Sequence, residues 1–179
     1  MQIISLLRGV TPNGQNRIPK MSYLAEIMEE AGFENVKTYI QSGNILLETE
    51  LSKEETAIKI HEVIKEKIGA DLSVIIKTKE ELSQAIKGNP FNEEYDYSRI
   101  HMIFTNDRID EVKLSELSKV PLEGELFHSN EACFYLYLPR EAQKKKLNTN
   151  FIEKKLGITA TMRKINVIQK LHDMLEEME

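Results

Sequence analysis

The first apolar cluster spans residues 2–7, where Ile3, Ile4, Leu6 and Leu7 surround Ser5, and it predicts a β-strand. A loop rich in glycine, asparagine and proline follows over residues 8–19. The period then changes: Met21, Leu24, Ala25, Met28 and Ala31 recur at helical spacing, with Pro19 suited to the first turn and Gly32 as the stop. Residues 35–40 and 45–48 read as a hairpin joined by the turn Gln41, Ser42, Gly43 and Asn44. Ser52 with Glu55 three positions on is a capping box, and Ala57, Ile60, Ile64 and Ile68 give the helix behind it an apolar face. A strand over 72–77 closes this unit, and Thr78 caps a short helix.

Residues 87–98, with Gly88, Pro90 and an acidic, tyrosine-bearing stretch, have the composition of a linker. The same order of elements then returns: a strand over 100–105, a helix over 107–118, strands over 125–128 and 132–138, helical segments between 140 and 156, a strand over 158–161 and a last amphipathic helix. In that helix Ile168, Leu171, Leu175 and Met178 share one face, as core residues do. The pattern predicts an α+β fold of two tandem ferredoxin-like βαββαβ units, with mainly antiparallel sheets and helices packed on one face. Residues 1–88 form the first unit, 89–98 the linker and 99–179 the second unit with its C-terminal helix.

In each such unit the strands order 4-1-3-2 with antiparallel neighbours, so the first two strands run the same way and exit at one sheet edge. Arg8, Gly9 and Asn16 on the first loop should therefore meet Gln41, Ser42, Gly43 and Asn44 on the hairpin turn. Arg8 offers a fork of donors for a carboxylate or phosphate, the glycines allow close backbone approach, and the amides and hydroxyl donate or accept. The start of the following helix adds partial positive charge. The expectation is a rim for a small polar or anionic ligand such as phosphate, a nucleotide or a carboxylate. The competing reading is turn chemistry for Gly43 and Asn44, with Arg8 paired to Glu48 or Asp71.

The net charge of −5 and pI near 5.5 argue against a protein whose main task is neutralising nucleic-acid phosphates, and the Lys144, Lys145, Lys146 run reads as a solvated face. No apolar run has membrane-helix length, and the first residues lack a signal-peptide pattern, so a cytoplasmic location and no membrane partner are expected. The single Cys133 lies in an apolar run and reads as a buried thiol.

Neither a phosphate-binding G-x-x-x-x-G-K-[ST] loop nor a dinucleotide G-x-G-x-x-G fingerprint occurs, and the sequence names no cofactor. His61, His101, His128 and His172 are scattered without a second His or Cys at ligand spacing, so no metal site is expected. An enzyme remains the alternative, with Asp71, His128 and Glu131 as titratable candidates in a cleft between the units. The strands that would carry a stacking surface for RNA are aliphatic. Apolar residues on both faces of the first strand require a cover, which the second unit would supply most simply and a homodimer equally well; a ligand-free interaction or dimerisation module is the further functional alternative.

The stretches Leu6 to Val10, Thr38 to Ile45, Asn89-Pro90-Phe91 and Thr161-Met162-Arg163 resemble an uncharacterised bacterial family called domain of unknown function 1697. The likeness spans nearly the whole chain and is most specific from Tyr39 to Asn44. It implies paired ferredoxin-like subdomains, brings fold rather than mechanism, and adds Thr161 and Arg163 to the positions of interest. The chain departs from the family at Asn13-Gly14, where a Gly-Gly pair is usual, and at Lys164-Ile165, where Asn-Trp is usual.

Overall fold

A computed structural model describes residues 1–40 and 42–178. The described residues form eight strands and six α-helices. The chain divides into two compact units, Met1–Glu81 with Leu171–Glu179, and Leu82–Lys170.

The first unit runs β1 (Gln2–Arg8), α1 (Met21–Glu30), β2 (Glu34–Tyr39), β3 (Asn44–Glu48), α2 (Lys53–Ile68) and β4 (Ser73–Thr78). Its antiparallel sheet has the order β2-β3-β1-β4. Ile3 and Leu7 of β1, Ile45 and Leu47 of β3 and Ile76 of β4 share a core with Leu24, Ile27 and Met28 of α1 and Ile60 and Ile64 of α2. The period-two rows of the strands thus meet the 3.6-residue stripes of both helices, and burial of this order of apolar surface is the main force holding the unit together. Ile4, Leu6 and Leu46, on the alternate rows, are also fully buried.

Local chemistry fixes the ends. Ser52 accepts from the Glu55 N–H at 3.1 Å while the Glu55 carboxylate accepts from the Ser52 N–H at 2.9 Å, which is the reciprocal cap expected for α2. Thr78 and Glu81 repeat the device at the start of α3 (Lys79–Lys87), with distances of 3.2 and 3.0 Å.

The second unit contains β5 (Ile100–Thr105), α4 (Glu111–Ser118), β6 (Leu126–Ser129), β7 (Phe134–Tyr137), α5 (Thr149–Leu156) and β8 (Ala160–Lys164), in the sheet order β6-β7-β5-β8. The last helix, α6, spans Ile165–Glu177. Ile103, Phe134 and Leu136 pack with Leu117, Ile152 and Leu156 in this unit's core. Cys133 is buried, as its apolar setting predicts.

Among the boundaries that differ from the sequence expectation, three have a visible cause. Helix α4 begins at Glu111 because Asp110 caps it, accepting from the Val112 and Lys113 N–H groups. Only Thr149–Leu156 of the expected 140–156 segment is helical: the buried Glu125 carboxylate takes the Lys146 and Leu147 N–H groups at 2.6 and 2.9 Å, and Asn148 then starts the helix by capping Phe151. Strand β8 starts at Ala160, since the Ile158 N–H is committed to the Glu153 carbonyl of the preceding helix end.

The stretch 89–98 lies within the second unit and is ordered by side chains. Phe91 and Tyr95 stack with Tyr137 of β7 at centroid distances of 5.0–5.7 Å, and the Tyr137 hydroxyl accepts from the Asp96 N–H.

Candidate functional site

Strands β1 and β2 are both antiparallel to β3 and hence parallel to each other, so their chain exits share an edge. The register makes this concrete: Asn44 pairs with Leu6 on one side and Tyr39 on the other. The Leu7 N–H donates to the Gly43 carbonyl at 2.9 Å, joining the turn to the end of β1.

Gly43 is the closest point of approach. A Cβ there would lie 2.9 Å from Leu7 Cβ and 3.1 Å from Val10 Cγ2, and its φ of +87° is one that side chains resist. Glycine therefore lets the turn seat directly on the loop that follows β1. Ile40, in the same turn, has φ +46° and is 44% exposed, a strained backbone for a β-branched residue.

Asn44 is fully buried, and its amide donates to the Tyr39 carbonyl at 2.9 Å and to Ser42 Oγ at 3.1 Å. It closes the hairpin and orients Ser42. Arg8 ends β1 opposite Ser73 of β4 and is half-buried. Asn16 is bonded twice to the backbone of Asp71, donating to its carbonyl at 3.4 Å and accepting from its N–H at 3.1 Å. Gly9, at φ +103°, lies beside Leu72 and Asn16. Gln41 lies outside the described residues.

The loop is a closed, bonded unit. The Thr11 N–H donates to the Asn16 carbonyl, the Arg17 N–H to the Gly14 carbonyl, and the Thr11 hydroxyl to the Asn13 carbonyl. Between this loop and the turn lies a cavity of about 440 Å³ lined by Val10, Thr11, Pro12, Arg17, Ile18, Pro19 and Ser42. Such a volume falls in the range of roughly 300–1,000 Å³ usual for small-molecule sites. No acidic side chain is among the described residues lining it, and Arg17 is its charged group.

Arg17 and Thr11 were not singled out by motif. Their signal lies in the start of α1: Lys20 stands where Ser, Thr, Asp or Asn would cap, no side chain caps the helix, and its first turn has no acidic residue. The positive end of α1 thus begins just after Ile18 and Pro19 of the cavity wall.

Arg163 lies on β8 of the second unit, whereas Arg8 belongs to the first. It is buried, donates to Thr161 Oγ1 at 2.6 Å and to the Met162 carbonyl at 2.9 Å, and loss of solvation lowers its pKa to about 10. It remains a cation at neutral pH.

Asp71 meets His61 Nε2 at 2.8 Å, and this hydrogen bond, with Lys65 nearby, holds its pKa below the usual carboxylate value. A carboxylate stabilised in this way is an ordinary surface anion rather than a proton donor near neutrality. Glu48 accepts from Gln2 and Asn35. His128 is exposed on β6, and Glu131 is exposed beyond it. His101 is buried, which lowers its pKa. His172, Asp173 and Glu176 of α6 bring potential ligand atoms within 4.8 Å of one another, with both carboxylates exposed.

No helix of the described residues is long and apolar enough to cross a membrane. A solved structure, that of the conserved bacterial protein SP0830 from Streptococcus pneumoniae, is similar over 97% of this chain and 98% of that one, with a TM-score of 0.73 and 19% sequence identity. That likeness concerns the fold alone. No curated protein matches the chain in sequence. The family model described as protein of unknown function DUF1697 matches residues 1–135, which contain β1, its exit loop and the hairpin turn, and the chain belongs to that family.

Proposed function

We propose that this protein binds a small polar or anionic ligand at the rim where the β1 exit loop meets the β2–β3 turn, each of its two units being a ferredoxin-like βαββαβ unit. The observation that carries the reading is the cavity of about 440 Å³ shared by these two segments, with Arg17 and Ser42 on it. Three features support it. The wall is pre-formed by the loop's own hydrogen bonds, which limits the ordering cost of binding. Arg17 can hold a carboxylate or phosphate with two parallel hydrogen bonds, and the uncapped start of α1 favours the same charge. Backbone strain at Ile40 sits in the turn that supplies Ser42.

In this reading Gly43 and Asn44 position the turn, Asn16 and Gly9 shape the loop, and Ser42, Thr11 and Arg17 meet the ligand. Amide NMR titration of the full chain with inorganic phosphate, acetate and adenosine monophosphate tests it. Saturable shifts at Val10, Thr11, Arg17 and Ser42 with at least one of them, lost in Arg17→Gln, are expected. Absence of clustered shifts with all three would remove the proposal.

A further inference from the structure

We infer that the ligand of this rim carries its anionic group on a flat apolar ring, as an aromatic or heterocyclic phosphate or carboxylate does, and is not a bare inorganic anion. The inference rests on the reading of the cavity as a ligand site and narrows the class of molecule it takes.

The lining divides by chemistry. Thr11, Arg17 and Ser42 are polar, while Val10, Pro12, Ile18 and Pro19 are apolar. A phosphate ion held by Arg17 would occupy a small part of about 440 Å³ and leave Val10, Pro12 and Pro19 facing water. A ring attached to the anion would cover them, and removal of apolar surface from water is what separates the two kinds of ligand in affinity.

The apolar side also favours a flat partner. Pro12 and Pro19 are rigid rings with no rotamer freedom to lose on contact, and proline faces pack readily against aromatic ones. Ile18 is 3% exposed and anchored in the core of the first unit, so this part of the wall is fixed before a ligand arrives. Val10 lies close to the turn, its Cγ2 3.1 Å from where a Cβ on Gly43 would stand. Arg17 is the charged group among the described lining residues, which selects an anion in a chain of net charge −5. Charge recognition and ring recognition are therefore assigned to different residues and can be separated by mutation.

The test is calorimetric titration of the full chain with methyl phosphate, phenyl phosphate and phenol, in wild type, Pro12→Ala and Arg17→Gln. Phenyl phosphate should bind at least about tenfold more tightly than methyl phosphate, a gain of the size that covering an apolar ring face supplies. Pro12, an exposed loop residue, should matter more for the ring than for the anion: Pro12→Ala weakens phenyl phosphate by a larger factor than methyl phosphate, and an equal loss for both would overturn the ring assignment. Arg17→Gln should weaken both phosphates. Equal affinity for methyl and phenyl phosphate would overturn the inference while leaving an anion site in place. Phenol binding as tightly as phenyl phosphate would overturn it by showing that the charge is idle. Binding of none of the three, together with silence in the NMR titration above, would overturn the site itself.

Discussion

Replacing Gly43 by Ala probes the contact on which the rim is built. The new methyl would stand 2.9 Å from Leu7 Cβ and 3.0 Å from Leu7 Cδ1, well inside normal contact. Leu7 cannot easily yield: it is 2% exposed, lies in the core, and its N–H is bonded to the Gly43 carbonyl itself. Two costs combine. A left-handed conformation costs alanine about 1–2 kcal/mol, and forcing a methyl into a filled space costs about 1–3 kcal/mol. Gly14→Ala separates them, because Gly14 has a similar φ of +81° and nothing lies within 4 Å of the place a Cβ would take there. It should bear the conformational cost alone, and the entropy that alanine removes from the unfolded chain is common to both variants. Gly43→Ala is therefore expected to lose about 1–3 kcal/mol more than Gly14→Ala. The chain has no tryptophan, so equilibrium unfolding in urea is followed by far-UV circular dichroism and tyrosine fluorescence. Equal losses in the two variants would refute close seating of the turn on β1.

Other substitutions test the packing around this frame. Ser5 Oγ is buried with no hydrogen-bond partner among the described residues, and Ser5→Ala should stabilise by about 1 kcal/mol at unchanged denaturant slope; a loss of that size would show the hydroxyl to be satisfied. Ile40→Asn should also gain about 1 kcal/mol by relieving the left-handed strain at φ +46°, and a lower urea midpoint would instead assign the Ile40 side chain a packing role. Tyr135 donates to the Ala85 carbonyl at 2.5 Å and accepts from Asn130 at 3.2 Å, so Tyr135→Phe should cost about 1–3 kcal/mol. Burial raises the ionisation of Tyr135 above that of a free tyrosine. Above pH about 10 the unfolded chain therefore holds fewer protons than the native one, and stability falls as pH rises. Tyr135→Phe should reduce that alkaline slope, and an unchanged slope would count against the assignment.

The two-unit order of elements was readable because each local signal agreed with its neighbours. The Ser52 and Glu55 cap, the α2 stripe and the hairpin between β2 and β3 are short-range patterns whose physics is written in adjacent letters. The convergence of the two loops was readable as well, since it follows from strand direction alone. What the letters did not carry was the use of each side chain. Asn44 reads as a polar turn residue and is buried with its amide committed to Tyr39 and Ser42, because the pairing of β3 with β1 and β2 encloses it. Residues 140–148 fall in the stretch read as helical, yet the carboxylate of Glu125, distant along the chain, takes the Lys146 and Leu147 backbone donors that a helix would use. Arg17 stands out only through its place on the same cavity as Ser42 and just before the uncapped start of α1.

Crystals of the full chain grown with 4-iodophenyl phosphate give the most direct reading, because iodine scatters anomalously and marks the ring independently of the phosphate. The iodine peak is expected beside Pro12 and Pro19, with the phosphate within hydrogen-bonding distance of Arg17 and Ser42. A fully occupied peak elsewhere on the molecule, or an empty cavity at saturating ligand, would contradict the assignment of this rim as the binding site.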